Sequence, residues 1–193
     1  MSMTRFIAKF EKVSKEEFAK HFDPDAIAKA PDKFDEVYNN IELPKRATVG
    51  SAGYDFFLPV PIINLGPGDS MIIPTGIKVS IEPGWALFAM PKSGLGFKYR
   101  LQLDNTIGLI DSDYYNNEKN EGHILFRITN DLKESRSLAF NRITNKPEFI
   151  PESIINMEPG KGFVQGVFLP YGVAEEELVE GIRTGGFGST EQK

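Results

Sequence analysis

The chain has 193 residues, 40% of them hydrophobic, a net charge of −5, 18 glycines, 13 prolines and no cysteine. That length predicts one domain with enough apolar material for a core. Disulfides and thiolate chemistry are excluded, and the acidic balance, with no basic run, argues against a nucleic-acid-binding surface. No signal-peptide pattern and no apolar run of about 18 residues occurs, so the expectation is a cytoplasmic protein without membrane contact.

In chain order, residues 1–40 read as a helical N-terminal extension. Ser14-Lys15-Glu16-Glu17 before Phe18 has the form of a capping box. Asp23-Pro24 is a cap followed by proline at the first helical position. From Ile41 the texture changes to short apolar runs broken by proline and glycine. Strands are expected at 54–58, 71–73, 77–81, 85–89, 107–110, 123–129 and 163–169. Many short strands with turn signals predict an all-β domain over 41–182, a sandwich or jelly roll. Residues 131–157 form a polar insertion, a surface helix or an excursion, with room for a protein partner. Residues 183–193 read as a flexible C-terminal arm. His21 and His123 are far apart, and their spacing gives no zinc motif. Neither a G-x-x-x-x-G-K-[ST] loop nor a strand–GxGxxG–helix unit is present.

Five segments carry chemistry. In Ala52-Gly53-Tyr54-Asp55-Phe56-Phe57, strand alternation points Asp55 away from Phe56, and an acid between aromatics needs a partner or a metal-bound water. A turn-starting Asp has the same composition. Pro91-Lys92-Ser93-Gly94-Leu95-Gly96 follows an apolar strand. A hydroxyl and backbone N–H groups there make an anion-binding corner, with Lys92 as a point charge, although an ordinary strand-ending turn reads the same way. The run from Asn105 to Tyr114, NTIGLIDSDY, is the densest constellation. Its amide suits a base edge, Asp111 a water, and Tyr114 the underside of a sugar; a hairpin with a polar exit is the bland alternative. Gln165 is the one polar side chain inside the strand at 163–169 and needs partners. Arg183-Thr184-Gly185-Gly186-Phe187-Gly188-Ser189-Thr190 combines a cation, glycines, a ring and hydroxyls, the parts of a lid for a nucleoside polyphosphate. A frayed, glycine-rich terminus would look alike.

Taken together and in this order, AGYDFF, PKSGLG, NTIGLIDSDYY, GFVQGVF and RTGGFGST resemble the trimeric dUTPase (dUTP diphosphatase) family. Leu43-Pro44-Lys45-Arg46-Ala47-Thr48 is similar to that family's opening strand, and the likeness spans roughly 42–130 and 158–190. Three departures stand out. The family usually has arginine where Lys92 stands, only Gln165 matches clearly in the fourth motif, and residues 115–122 replace a tighter arginine-glycine-glutamate turn. That longer turn resembles dUTPases of Gram-positive bacteria and their phages.

The resemblance implies a distorted jelly roll, a homotrimer with shared sites, and Mg²⁺-assisted hydrolysis of dUTP to dUMP and pyrophosphate. Such an activity limits uracil in DNA and supplies dUMP for dTMP synthesis. Asp111 would be the catalytic residue that orients the water. Asn105, with Gly108 and Ile110 nearby, would read uracil, and Tyr114 would pack under the sugar. Lys92, Ser93 and Gly94 would meet the phosphates. From the arm, Arg183 would bind the γ-phosphate and Phe187 stack on the base, with Gly188 and Ser189 beside them. No residue would ligate Mg²⁺ directly; Asp55 and Gln165 would act through water. Two rival readings are a dCTP deaminase-like nucleotide enzyme, against which the arm speaks, and a trimeric regulatory member of the same fold.

Overall fold

The computed structural model describes residues 6–133, 138–141, 143, 145–149 and 151–175. The chain opens with a strand, β1 (Ala8–Lys12), and three short helices, α1 (Lys15–Ala19), α2 (Pro24–Lys29) and α3 (Pro31–Asn39). The expectation of a helical 1–40 therefore fails at its start. β1 pairs antiparallel with β6 (Ile77–Ile81), from Ala8 opposite Ile81 to Lys12 opposite Ile77. Phe18 in α1 is fully buried among Phe22, Phe34 and Tyr38, so this segment packs as part of the body.

The remaining strands are β2 (Lys45–Arg46), β3 (Tyr54–Phe57), β4 (Ile62–Leu65), β5 (Ser70–Pro74) and β7 (Trp85–Pro91). Then come helix α4 (Ser93–Tyr99), β8 (Leu101–Leu103), β9 (Gly108–Ile110) and β10 (Leu125–Asn130). The chain continues with β11 (Leu138–Asn141), β12 (Lys146–Phe149), β13 (Ile155–Met157) and β14 (Gly162–Pro170). A five-stranded antiparallel sheet, β2-β3-β14-β7-β9, faces a three-stranded one, β5-β10-β8. Each presents its alternate apolar residues inward. Phe56 and Phe163 from the first sheet meet Phe126 from the second edge-on, with ring centroids 5.2 and 5.9 Å apart. This is the jelly-roll-like all-β architecture expected from the spacing of strands and turns.

Among the described residues of the insertion 131–157 there is no α-helix. β11 and β12 pair as a hairpin, and β13 pairs with β4, with Ile155 fully buried. Residues 153–157 thus belong to the body. The buried Asn130 ties them in, donating from Nδ2 to the carbonyls of Leu65 and Ser153.

Candidate functional site

A cavity of about 640 Å³ opens between β9, β10 and the turn at 104–107, lined by Asp104, Asn105, Gly108, Ile110, Tyr114 and Phe126 among others. The sequence fixes this corner locally. Thr106 takes a left-handed backbone (φ 66°), and its N–H bonds back to Leu103 at 2.8 Å, which turns the chain and brings Asn105 to the rim. β9 then runs beside β7 with Gly108 opposite Ala89. A Cβ on Gly108 would stand 3.3 Å from that of Ala89, so the small residue lets the strands close. At the exit, Asp111 caps a single turn, Ser112–Tyr114, and is half-buried. Tyr114 is buried. Arg127, which sequence reasoning passed over, also lines the cavity, with its guanidinium 2.7 Å from Asp104. Its place on an otherwise alternating strand gave no signal.

A second group gathers elsewhere. Lys92 donates to Asp55 at 2.7 Å, so the expected phosphate cation is already paired with the expected water-bridging acid. Asp55 lies opposite Gln165, and the side-chain oxygen of Gln165 closes on Gly53, where a Cβ would come within 3.0 Å. Gln165 is half-buried rather than sealed in the core. Ser93 and Gly94 form the exposed first turn of α4, where the helix itself offers their N–H groups no acceptor. Phe56 and Val164 face the core, so alternation puts Asp55 and Gln165 on the opposite face of the sheet. Gly108 and Ile110, paired with Ala89 and Leu87, belong to the inner face. Asp55 and Gln165 thus lie on the sheet face opposite Gly108 and Ile110. Arg183, Phe187, Gly188 and Ser189 lie outside the described residues.

The fold also joins two histidines that sequence spacing kept apart. The rings of His21 and His123 are 4.8 Å apart, and both lie near the buried Glu17. Nε2 of the fully buried His123 accepts the N–H of Gly76 at 2.9 Å. The neutral ring must therefore carry its proton on Nδ1, 3.6 Å from Glu17 Oε1. A protonated Nδ1 is a donor, not a metal ligand. Burial pushes this imidazole down to about 3, with His21 and Lys20 adding to the effect.

With this geometry in hand, comparison with known proteins places the chain. Residues 39–133 match the family model described as dUTPase. The deoxyuridine 5'-triphosphate nucleotidohydrolase of Lactococcus lactis subsp. lactis is 38% identical over 152 residues, 78% of this chain and 88% of the relative. That of Psychromonas ingrahamii is 35% identical over 153 residues, 76% and 85% of the two chains. The crystal structure of dUTPase from Streptococcus mutans is 28% identical with a TM-score of 0.56, covering 86% of this chain and 98% of that one. The chain belongs to the dUTPase family.

Proposed function

We propose that the protein hydrolyses dUTP to dUMP and pyrophosphate, limiting uracil in DNA and supplying dUMP for dTMP synthesis. The observation that carries this reading is the cavity in which the Asn105 amide, the small Gly108 and the Tyr114 ring converge. An amide beside a strand edge can pair with a uracil edge, and a ring below the sugar leaves little space for a 2′-hydroxyl. Asp111 lies in the chain between the cavity-lining Ile110 and Tyr114. It orients a water for in-line attack at the α-phosphorus and takes its proton as the bond to the leaving pyrophosphate breaks.

The site is shared in a homotrimer. Asn105, Asp111 and Tyr114 come from one subunit, and Ser93, Gly94 and Gln165 from a neighbour. What supports this is that Asp55 and Gln165 lie on the sheet face opposite Gly108 and Ile110 of the cavity wall, so a second chain is the simple way to bring Gln165 to that cavity. The arm residues Arg183, Phe187, Gly188 and Ser189 close over the nucleotide, gripping the γ-phosphate, stacking on the base and contacting the phosphates.

The residues present fit Mg²⁺ held through water. Asp55 and Gln165 offer the oxygen donors that this ion prefers, and Lys92 on the Asp55 carboxylate disfavours direct ligation. When bound, the ion neutralises charge on the phosphate chain. Lys92, with Asp55 as its partner, contributes less to phosphate binding than an unpaired cation would.

The test is pyrophosphate release from dUTP, dTTP, dCTP and UTP with Mg²⁺. Strong preference for dUTP is expected; equal turnover of dUTP and UTP, or none of dUTP, would overturn the reading. Deamination of dCTP would favour the rival enzyme.

A further inference from the structure

The ring of Tyr114 lines the cavity, but its hydroxyl is committed elsewhere. It donates to the carbonyl of His123 at 2.9 Å and accepts from Asn120 Nδ2 at 2.8 Å. The Tyr114 carbonyl is held too, by Asn117 Nδ2 at 2.8 Å. The two asparagines are linked, Asn117 Nδ2 donating to Asn120 Oδ1 at 2.8 Å, and Asn120 Oδ1 also accepts the Gly122 N–H at 3.2 Å. The two asparagines therefore hold both polar ends of Tyr114.

That clamp closes only because Glu121 and Gly122 take left-handed backbone, φ 56° and 80°. For a glutamate this conformation is costly. Its carboxylate is held from the other end of the chain. Ser14 donates its N–H to Oε2 at 3.0 Å and its hydroxyl to Oε1, and Lys78 Nζ lies 3.1 Å from Oε2. Ser14 also caps α1, accepting the Glu17 N–H at 3.0 Å. A capping box needs a carboxylate returning to the cap's own N–H. Glu121, 107 residues away, supplies that half, and Glu17, the in-line candidate, turns to Lys20 and the histidines. Beside it, Tyr115 is bonded to Glu11 of β1.

We propose that Asn120 is a positioning residue of the nucleotide pocket, and that the N-terminal segment holds it in register through the Ser14–Glu121 bond. This rests on the reading of Tyr114 as the sugar-side wall of the dUTP site. Asn120 touches no substrate; it acts by fixing the tilt of the Tyr114 ring. The segment that secures it lies almost entirely before residue 39, where the match to the family model begins.

The test measures kcat and KM for dUTP and UTP on the full chain. Asn120→Asp retains the Oδ1 acceptor and replaces the donor to the phenol, which also reaches the His123 carbonyl at 3.4 Å, with a charged acceptor. Losing one hydrogen bond of ordinary strength corresponds to roughly a three- to tenfold change. KM for dUTP should rise, and the dUTP:UTP ratio of kcat/KM should fall, by about that factor, with kcat within about twofold. In a Tyr114→Phe background the same substitution should add almost nothing, since the acceptor is gone. Ser14→Ala should act in the same direction, and Ser14→Thr should restore the parent values. Unchanged KM and ratio in Asn120→Asp, while Tyr114→Ala shifts the ratio, would overturn this inference alone. An unchanged ratio in Tyr114→Ala would overturn the sugar-side reading and this inference with it. Loss of thermal stability in Asn120→Asp and Ser14→Ala with KM and ratio intact would reduce the clamp to a structural role and also overturn the proposal.

Discussion

Asp111 is the residue on which turnover is expected to depend. It stands where β9 ends and caps one short turn, a position that fixes its main chain while leaving the side chain half-buried. Asp111→Asn keeps the shape and removes the base. We expect folding and assembly close to the parent's and a fall in kcat of about 10²–10⁴-fold, the usual cost of losing a positioned general base. Pyrophosphate release from the purified, folded variant measures it; turnover within a few-fold of the parent would exclude Asp111 from the chemistry. Lys92 and Asp55 illustrate how a residue's neighbours change its meaning. Each was read from the sequence as a separate contributor to the site, yet they form one ion pair across the ends of β3 and β7. No local pattern in the sequence relates positions 55 and 92, because the pairing depends on β14 lying between their strands.

At the scale of elements, Gly122 is the pivot of the turn at 115–122. At φ 80°, a Cβ there would stand 2.6 Å from the Tyr114 carbonyl and 3.0 Å from Tyr115 Cα. Gly122→Ala is expected to cost about 2 kcal/mol or more, from the left-handed backbone and the clash together. A lowered melting temperature with a raised KM for dUTP is the expected result. For the C-terminal arm, truncation after Ile182 is expected to leave the melting temperature nearly unchanged while cutting kcat strongly. Unchanged kinetics would show that Arg183 and Phe187 do not reach the nucleotide.

The central strands were legible because alternation is local: Ile77–Ile81 has its three buried residues at every second place. β1 was not. Its five residues, AKFEK, carry three charges and one ring, and the capping signals just after it dominate the local pattern. β13 was missed for its brevity, its two pairs with β4 being a tertiary fact. That Asp55 and Gln165 lie on the face opposite Gly108 and Ile110 follows only from the sheet register. The Ser14 cap was read correctly and its carboxylate partner was not, since nothing near Ser14 points to Glu121.

For the whole molecule, the buried His123 makes a prediction about acid. Its ordinary value of 6.5 falls to about 3 in the fold. The unfolded chain therefore binds a proton that the folded one refuses between those limits. The stability tied to the neutral ring is complete above pH 6.5 and declines as pH falls towards 3, by about 1.4 kcal/mol per pH unit. Glu121 acts in the same sense lower down. Burial raises its value, but the bonds from Ser14 and Lys78 prevail and hold it below 4.5, so its contribution is lost on further acidification. Denaturant unfolding between pH 7 and 4 should show the slope. His123→Gln, which keeps an acceptor available for Gly76, should flatten it; an equal slope in the variant would assign the acid sensitivity elsewhere. Light scattering should give a homotrimer, and a monomer with full activity would refute shared sites. Among the described residues no helix is long and apolar enough to cross a membrane.

The bond between Ser14 and Glu121 also has a consequence for the order in which the protein can mature on the ribosome. Synthesis runs from the N-terminus at about 5–20 residues per second, so the 107 residues between the partners take roughly 5–20 s to appear. Throughout that interval Ser14 has no Glu121 to meet, and β1 waits for most of it until β6 emerges. A waiting strand invites pairing with other nascent chains. Lys9, Glu11 and Lys12, which hid β1 from a pattern search, give it the charge that discourages such pairing. The pocket wall at Tyr114 is then secured only once β6 and the turn at 115–122 have followed β1 out of the ribosome.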